Sequence, residues 1–247
     1  MKTHMITEMP NVSHGREVVR KLDRKLDALE EQLQQTRLAK VFYDPGANPA
    51  DVMAIMKYMH LSITEYQFDC TESVFTAVGR LPKNSQQLIQ KAILVQIEEA
   101  NHGVMALNDY GKLGGDVEAA RSARRSPAGL AATAVIRFLG ERASPFCHMG
   151  FMYLFEELTR RLLIGAVSVL RAKGFPENEL EFMQIHIEEE QRHADLYGNL
   201  IEEVAHTHPE AAAEIEYGFD CFQQVYPIPV WEMVYEKSAK EFKATNN

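Results

Sequence analysis

His186, Glu190 and His193 stand at positions i, i+4 and i+7 of one polar-apolar stretch. At about 100° per residue of helix they lie within roughly 60° of one another, on a single face. Met183 and Tyr197 extend the same stripe, so the face is expected to look inward. Two imidazoles and a carboxylate on an inward face are costly unless they are paired or bind metal. A second group, Glu98-Glu99-Ala100-Asn101-His102, offers Glu99 and His102 at i, i+3, a spacing that lets two side chains grip one ion. Glu98, at i, i+4 to His102, is the rival for that role. Glu65, flanked on its own side by Leu61, Ser62, Phe68 and Asp69, and Glu156, inside the apolar run from Phe151 to Phe155, complete the set.

In chain order these residues read Glu65, Glu99-x-x-His102, Glu156, Glu190-x-x-His193. Glu65 to Glu99 and Glu156 to Glu190 are both separated by 34 residues (99 − 65 and 190 − 156). A helix–turn–helix excursion of that length returns the chain to its starting level, so each pair is expected to meet across antiparallel helices. One Glu from each of two helices, with Glu-x-x-His from each of two others, is the ligand pattern of di-iron and di-manganese bundle proteins. Four carboxylates and three imidazoles suit two divalent iron or manganese ions, and the lack of cysteine disfavours structural zinc or an iron–sulfur cluster. A lone Glu-x-x-His is a weak signal, common on solvated helices; the ordered combination carries the reading. Glu188, Glu189, Glu202 and Glu203 read as solvated face.

The elements that must hold these groups are all helical. Val19, Leu22, Leu26, Leu29 and Leu33 form an apolar stripe on a first helix opening at Ser13 or His14. That stripe packs on its own domain or, as the alternative, forms a homodimer seam. Further helices are expected over about 49–79, 85–110, 127–143, 146–173, 177–206 and 209–222. Residues 1–13 form a polar leader, 111–126 a loop region, and 227–247 a tail with a short helix. No alternating strand pattern or glycine-rich phosphate loop occurs. The expected architecture is one all-α, seven-to-eight-helix domain.

Composition excludes several classes. A net charge of −9 across 247 residues argues against nucleic acid or an anionic membrane as partner. Arg121, Arg124 and Arg125 sit in a polar loop and read as solvated. Cys70, Cys147 and Cys221 are too few and scattered for a disulfide framework, and read as small buried hydrophobes. No apolar run approaches a membrane span, and no signal-peptide core is visible, so a cytoplasmic location is the expectation.

The segments His186-Ile-Glu-Glu-Glu190-Gln-Arg-His193 and Glu99-Ala-Asn-His102 resemble the motifs of the haem-oxygenase-like di-iron oxidases. Leu107-Asn108-Asp109-Tyr110 continues the likeness to nitrile-forming members that act on amino acids; other relatives form alkenes from fatty acids. The likeness spans about residues 50–207, with Glu190 standing where many members have Asp. It implies a haem-oxygenase-like bundle of seven core helices, a labile pair of iron ions and dioxygen as co-substrate. It further implies a small-molecule substrate such as an amino acid or fatty acid, undergoing desaturation, oxidative cleavage or N-oxygenation, with an external electron donor where the chemistry needs one. Arg160, one turn after Glu156, and Tyr153 are the candidate substrate contacts; Phe155, Met183 and Tyr197 are candidate pocket walls. Two ferritin-like alternatives, an arylamine N-oxygenase and a non-catalytic iron-binding protein, share much of the motif on a four-helix core. Metal-free relatives such as thiaminase II share the first scaffold.

Overall fold

Helix starts fall where short polar side chains supply caps. In the computed structural model, Thr36, Asn48, Asp116 and Ser126 each accept a backbone N–H of the helix that follows, and Pro49 and Pro127 occupy first-turn positions. The structure describes residues 14–83, 85–175 and 180–245; the side chains of 184, 187–191 and 243–245 lie outside that description, as does the expected leader. Every regular element among the described residues is a helix.

These are α1 (His14–Gln34), α2 (Arg37–Phe42), α3 (Pro49–Thr64), α4 (Gln67–Gly79), α5 (Gln86–Glu99), α6 (His102–Lys112), α7 (Val117–Ser122), α8 (Pro127–Glu141), α9 (Cys147–Ala172), α10 (Glu181–Thr207), α11 (Ala211–Gln223) and α12 (Ile228–Thr245). The all-helical bundle is as expected, with finer divisions. The expected loop at 111–126 contains α7, and the tail carries a full helix, α12, that packs along α3.

α9 is the central rod. Residues Cys147 to Leu154 are buried on every side, so this stretch has no solvated face at all. It packs against α10, α11 and α8. Contact with α11 is backbone to backbone: a Cβ on Gly150 would lie 1.9 Å from the Ile215 carbonyl oxygen, and one on Gly218 would lie 2.0 Å from that of Cys147. Any larger residue at either position would force the helices apart. The α1 stripe, Leu22, Leu26, Leu29 and Leu33, is buried within this chain, where α1 lies on α10 and α11. Burying each such leucine contributes roughly 1.5–3 kcal/mol.

Two of the expected long helices are broken, and both breaks fall at candidate ligands. The helix over 49–79 parts at Glu65 and Tyr66, and the helix over 85–110 parts at Ala100 and Asn101. At the first break Ser62 and Thr64 turn their hydroxyls back onto the carbonyls of Met59 and Leu61, both at 2.7 Å. Such back-bonding weakens the helical ladder. The freed carbonyl of Glu65 accepts the Thr133 hydroxyl of α8 at 3.0 Å, so the break is stabilised from outside.

Candidate metal centre

Four helical segments converge beside the middle of α9. Glu99 ends α5, His102 begins α6, Glu156 lies two residues beyond the fully buried stretch of α9, and His186 and His193 project from α10. Donor atoms of Glu99, Glu156 and His193 all lie within 4.8 Å of one another. His193 Nδ1 sits 3.2 Å from Glu99 and 3.5 Å from Glu156. His102 Nδ1 lies 2.8 Å from Glu99 without the alignment of a hydrogen bond, and its Nε2 has no hydrogen-bond partner among the described residues. The His102 and His186 rings are 4.5 Å apart. Every one of these five residues is buried.

Packing fixes the imidazoles. Phe182 lies 3.9 Å from His186 ring to ring and meets His102 edge-on. His186 Nδ1 donates to the Phe182 carbonyl at 2.6 Å, which makes Nε2 the nitrogen that would ligate a metal. Asp109 sets the start of α10. Its two carboxylate oxygens accept the Glu181 and Phe182 backbone N–H groups at 3.0 and 2.8 Å. An acid on α6 thereby caps the helix that carries His186, Glu190 and His193.

The charges are set against one another. Burial alone would raise the pKa of Glu99, but His102 and His193 hold it down at about 2. Glu156 moves the other way, to about 7, because it is buried and faces the charge of Glu99. Burial works to lower His193, yet Glu156, Glu99 and Glu98 together raise it to about 11. Burial, followed by the charge of His102, lowers His186 to about 4. A buried acid pushed toward neutrality, beside an orphaned imidazole nitrogen, is a donor set that a cation would complete.

Five of the seven predicted ligands are therefore brought together, and Glu99 rather than Glu98 faces the centre. Glu98 is half-exposed and accepts from Arg192 at 2.6 Å, touching only the outer nitrogen of His193. Glu190 belongs to the α10 backbone, but its side chain lies outside the described residues. Glu65 is the correction. Its carboxylate accepts the Ser126 backbone N–H at 3.1 Å and the Ser126 hydroxyl, and lies 3.4 Å from Lys237. It sits over the N-terminus of α8, in space left by Gly129, whose Cβ would fall 1.9 Å from Glu65 Oε2. The expectation assumed an unbroken helix; the break at Glu65 turns the side chain to α8, and Gln67 of α4 contacts Glu99 instead, at 3.1 Å.

A cavity of about 180 Å³ opens against the centre. Glu99, Glu156, His186, Gln67 and His60 line its polar part; Leu38, Phe42, Ile55, Leu162, Leu163 and Trp231 line much of the rest. It follows α9 from Met152 to Ala166, about 21 Å of helix. Phe155 and Met183 line it as expected, whereas Tyr153, Tyr197 and Arg160 are not among its walls. The Tyr153 hydroxyl donates to Asp23 at 2.7 Å, and Arg160 is engaged by Glu157, away from the cavity lining. Sequence reasoning missed His60 and assigned no role to Asp109. Their signals were a single histidine among the apolar residues of α3 and an acid in the motif-like Asn108-Asp109-Tyr110.

No described helix is long and apolar enough to cross a membrane. No functionally curated protein is similar enough to the chain to count as a relative. Among solved structures, a domain of unknown function with a heme oxygenase-like fold from Shewanella denitrificans OS217 is similar, with a TM-score of 0.73 and 16% identity over 94% of each chain. That likeness fixes the fold as haem-oxygenase-like and sets aside the four-helix ferritin-like alternative. The profile of the family described as iron-containing redox enzyme matches residues 63–226, a span that holds every residue of the centre. With two thirds of its length matched, the chain belongs to the iron-containing redox enzyme family.

Proposed function

We propose that the protein is a non-haem di-iron oxidase or oxygenase that uses dioxygen to oxidise a small organic substrate held in the α9 cavity. The observation that carries this reading is the convergence of Glu99, Glu156 and His193 at the wall of an apolar cavity. Glu99, His102, Glu156, His186 and His193 form the ligand set, with Glu190 contributed from the same α10 helix. Glu65 enters it only by exchanging its hydrogen bonds to Ser126 and Lys237 for metal. Iron bound here would supply the one-electron chemistry through which dioxygen oxidises an organic molecule.

The remaining work falls to the chain's own residues. Glu99 is held ionised, the form in which a carboxylate would ligate a cation. Glu156 and His193 carry protons that must leave as metal enters. Phe182 and Asp109 hold the imidazoles in place, and the aliphatic walls keep bulk water from the reacting atoms. Of the two substrate classes that the family resemblance offers, fatty acids or amino acids, the apolar lining favours a molecule with an extended hydrocarbon body. Desaturation, oxidative cleavage and N-oxygenation are all within reach of such a centre. The test is oxygen consumption by the anaerobically loaded Fe(II) protein. Addition of the right apolar substrate accelerates uptake; iron-loaded protein that no organic molecule accelerates would contradict the assignment.

A further inference from the structure

Resting on the reading of the α9 cavity as a substrate site, we infer that Thr159 is a substrate-contacting residue, whose hydroxyl donates a hydrogen bond to a neutral oxygen function, such as a ketone or alcohol, on the hydrocarbon chain. Thr159 lines the cavity one turn of α9 beyond Glu156. Side chains at that spacing are neighbours, with Cβ atoms about 5–6 Å apart. The hydroxyl therefore stands beside the metal centre without belonging to its ligand set.

A threonine inside a helix commonly returns its hydroxyl to a carbonyl of the preceding turn. Thr64, Thr71, Thr76 and Thr207 do so, and Thr133 of α8 bonds the Glu65 carbonyl. Among the helical threonines whose side chains are described, Thr159 alone makes no hydrogen bond to a described residue. It is half-buried, and its oxygen, unlike His60 Nε2, keeps accessible surface. A molecule in the cavity can reach it.

The other polar walls near the centre are engaged by the protein. Gln67 donates to Glu99 at 3.1 Å, the Cys70 thiol to the Met152 sulfur at 3.7 Å, and Tyr66 and Tyr226 are hydrogen-bonded to each other. Thr159 stands instead beside Phe155, Leu162 and Leu163, which form an apolar wall. A hydrocarbon that fills the cavity displaces water from the hydroxyl, and a bare chain leaves that bond unmade. A chain with an oxygen at this level restores it. A carboxylate is unsuited to the position, because Glu156 lies one turn away and no lysine or arginine is among the lining residues. Thr159 is thereby a specificity residue: its one-turn offset from Glu156 fixes which carbon of the chain faces the metals.

The test is calorimetric binding to the metal-free full-length chain, where no group can bind through iron. The probes are 2-octanone and 1-octene, which share a chain length and differ in the oxygen. Thr159→Val removes the hydroxyl at nearly the same volume, and Thr159→Ser keeps it. Thr159→Val is expected to weaken 2-octanone about fivefold and to leave 1-octene unchanged, whereas Thr159→Ser keeps the preference for the ketone. Equal ketone affinity in the wild type and Thr159→Val, an equal loss of both probes, which marks packing alone, or no binding of either probe would overturn the assignment. Iron content after anaerobic loading, expected to be unchanged in Thr159→Val, reports on the metal centre alone. A wild-type chain that takes up no iron contradicts the di-iron reading and leaves the ketone comparison standing, so the two failures are distinguishable.

Discussion

Two buried glutamates at similar depth are treated by the fold in opposite ways. Glu65, at the α3–α4 break, receives the backbone N–H and hydroxyl of Ser126, the N-terminal field of α8 and a nearby Lys237. Glu156, inside α9, faces another carboxylate and an imidazole, and its pKa rises to about 7. Its chain neighbour Glu157 is paired with Arg160 and Arg161, so cations are at hand one residue away. The difference teaches where function lies: a buried acid supplied with donors is part of the frame, and one denied them is kept for a ligand from outside.

Substitutions at the two positions should therefore have effects of different kinds. The largest is expected for Glu156→Gln, which lowers Fe(II) affinity on the order of a hundredfold or more. Its fold is expected to survive, and the fall in stability of the metal-free wild type between about pH 4.5 and pH 7, read by urea unfolding, is expected to be absent from the variant. The sign follows from the raised pKa: the folded chain binds a proton that the unfolded chain releases, so this group destabilises the fold as pH rises above about 4.5. Glu65→Gln should do the reverse, costing about 2–3 kcal/mol of stability while losing less iron than Glu156→Gln. Equal losses of iron in the two variants would erase the comparison.

Gly129→Ala sharpens it without touching a charge. The added methyl competes with Glu65 for its cradle, and a loss of about 1–3 kcal/mol in thermal or urea unfolding is expected. Unchanged stability would show that Glu65 is not fixed there. The smallest effect is on pH dependence. His193 and Glu156 hold protons near neutrality that metal must displace, so Fe(II) affinity should rise up to about tenfold per pH unit for each proton released. Indicator dye should report acidification on loading, and a pH-independent affinity would count against both as ligands.

Most of the centre was legible because helix periodicity is a local property. Positions 186, 190 and 193 share a face in any α-helix, and Glu99, His102 and Glu156 needed only antiparallel neighbours to meet them. Glu65 was misread because no Gly or Pro marks the break after Thr64. That break depends on Thr133 and Ser126, more than 60 residues away in sequence. The same holds for Asp109, whose partners lie 72 and 73 residues downstream. α7 was legible in retrospect from its Asp116 cap, and the Arg-rich loop proved partly structural, since Arg125 pairs with Asp69 of α4. Tertiary contacts that redirect a single side chain leave no periodic trace.

The central claim, a two-iron centre built on Glu99, Glu156 and His193, is tested most directly by counting iron. Anaerobic Fe(II) loading of the full chain, read by metal analysis and Mössbauer spectroscopy, should give about two irons per chain with an exchange-coupled signal after oxidation. Glu156→Gln and His193→Ala should lose that signal. A wild-type chain that holds no stoichiometric iron, or variants that hold it as well as the wild type, would contradict the account.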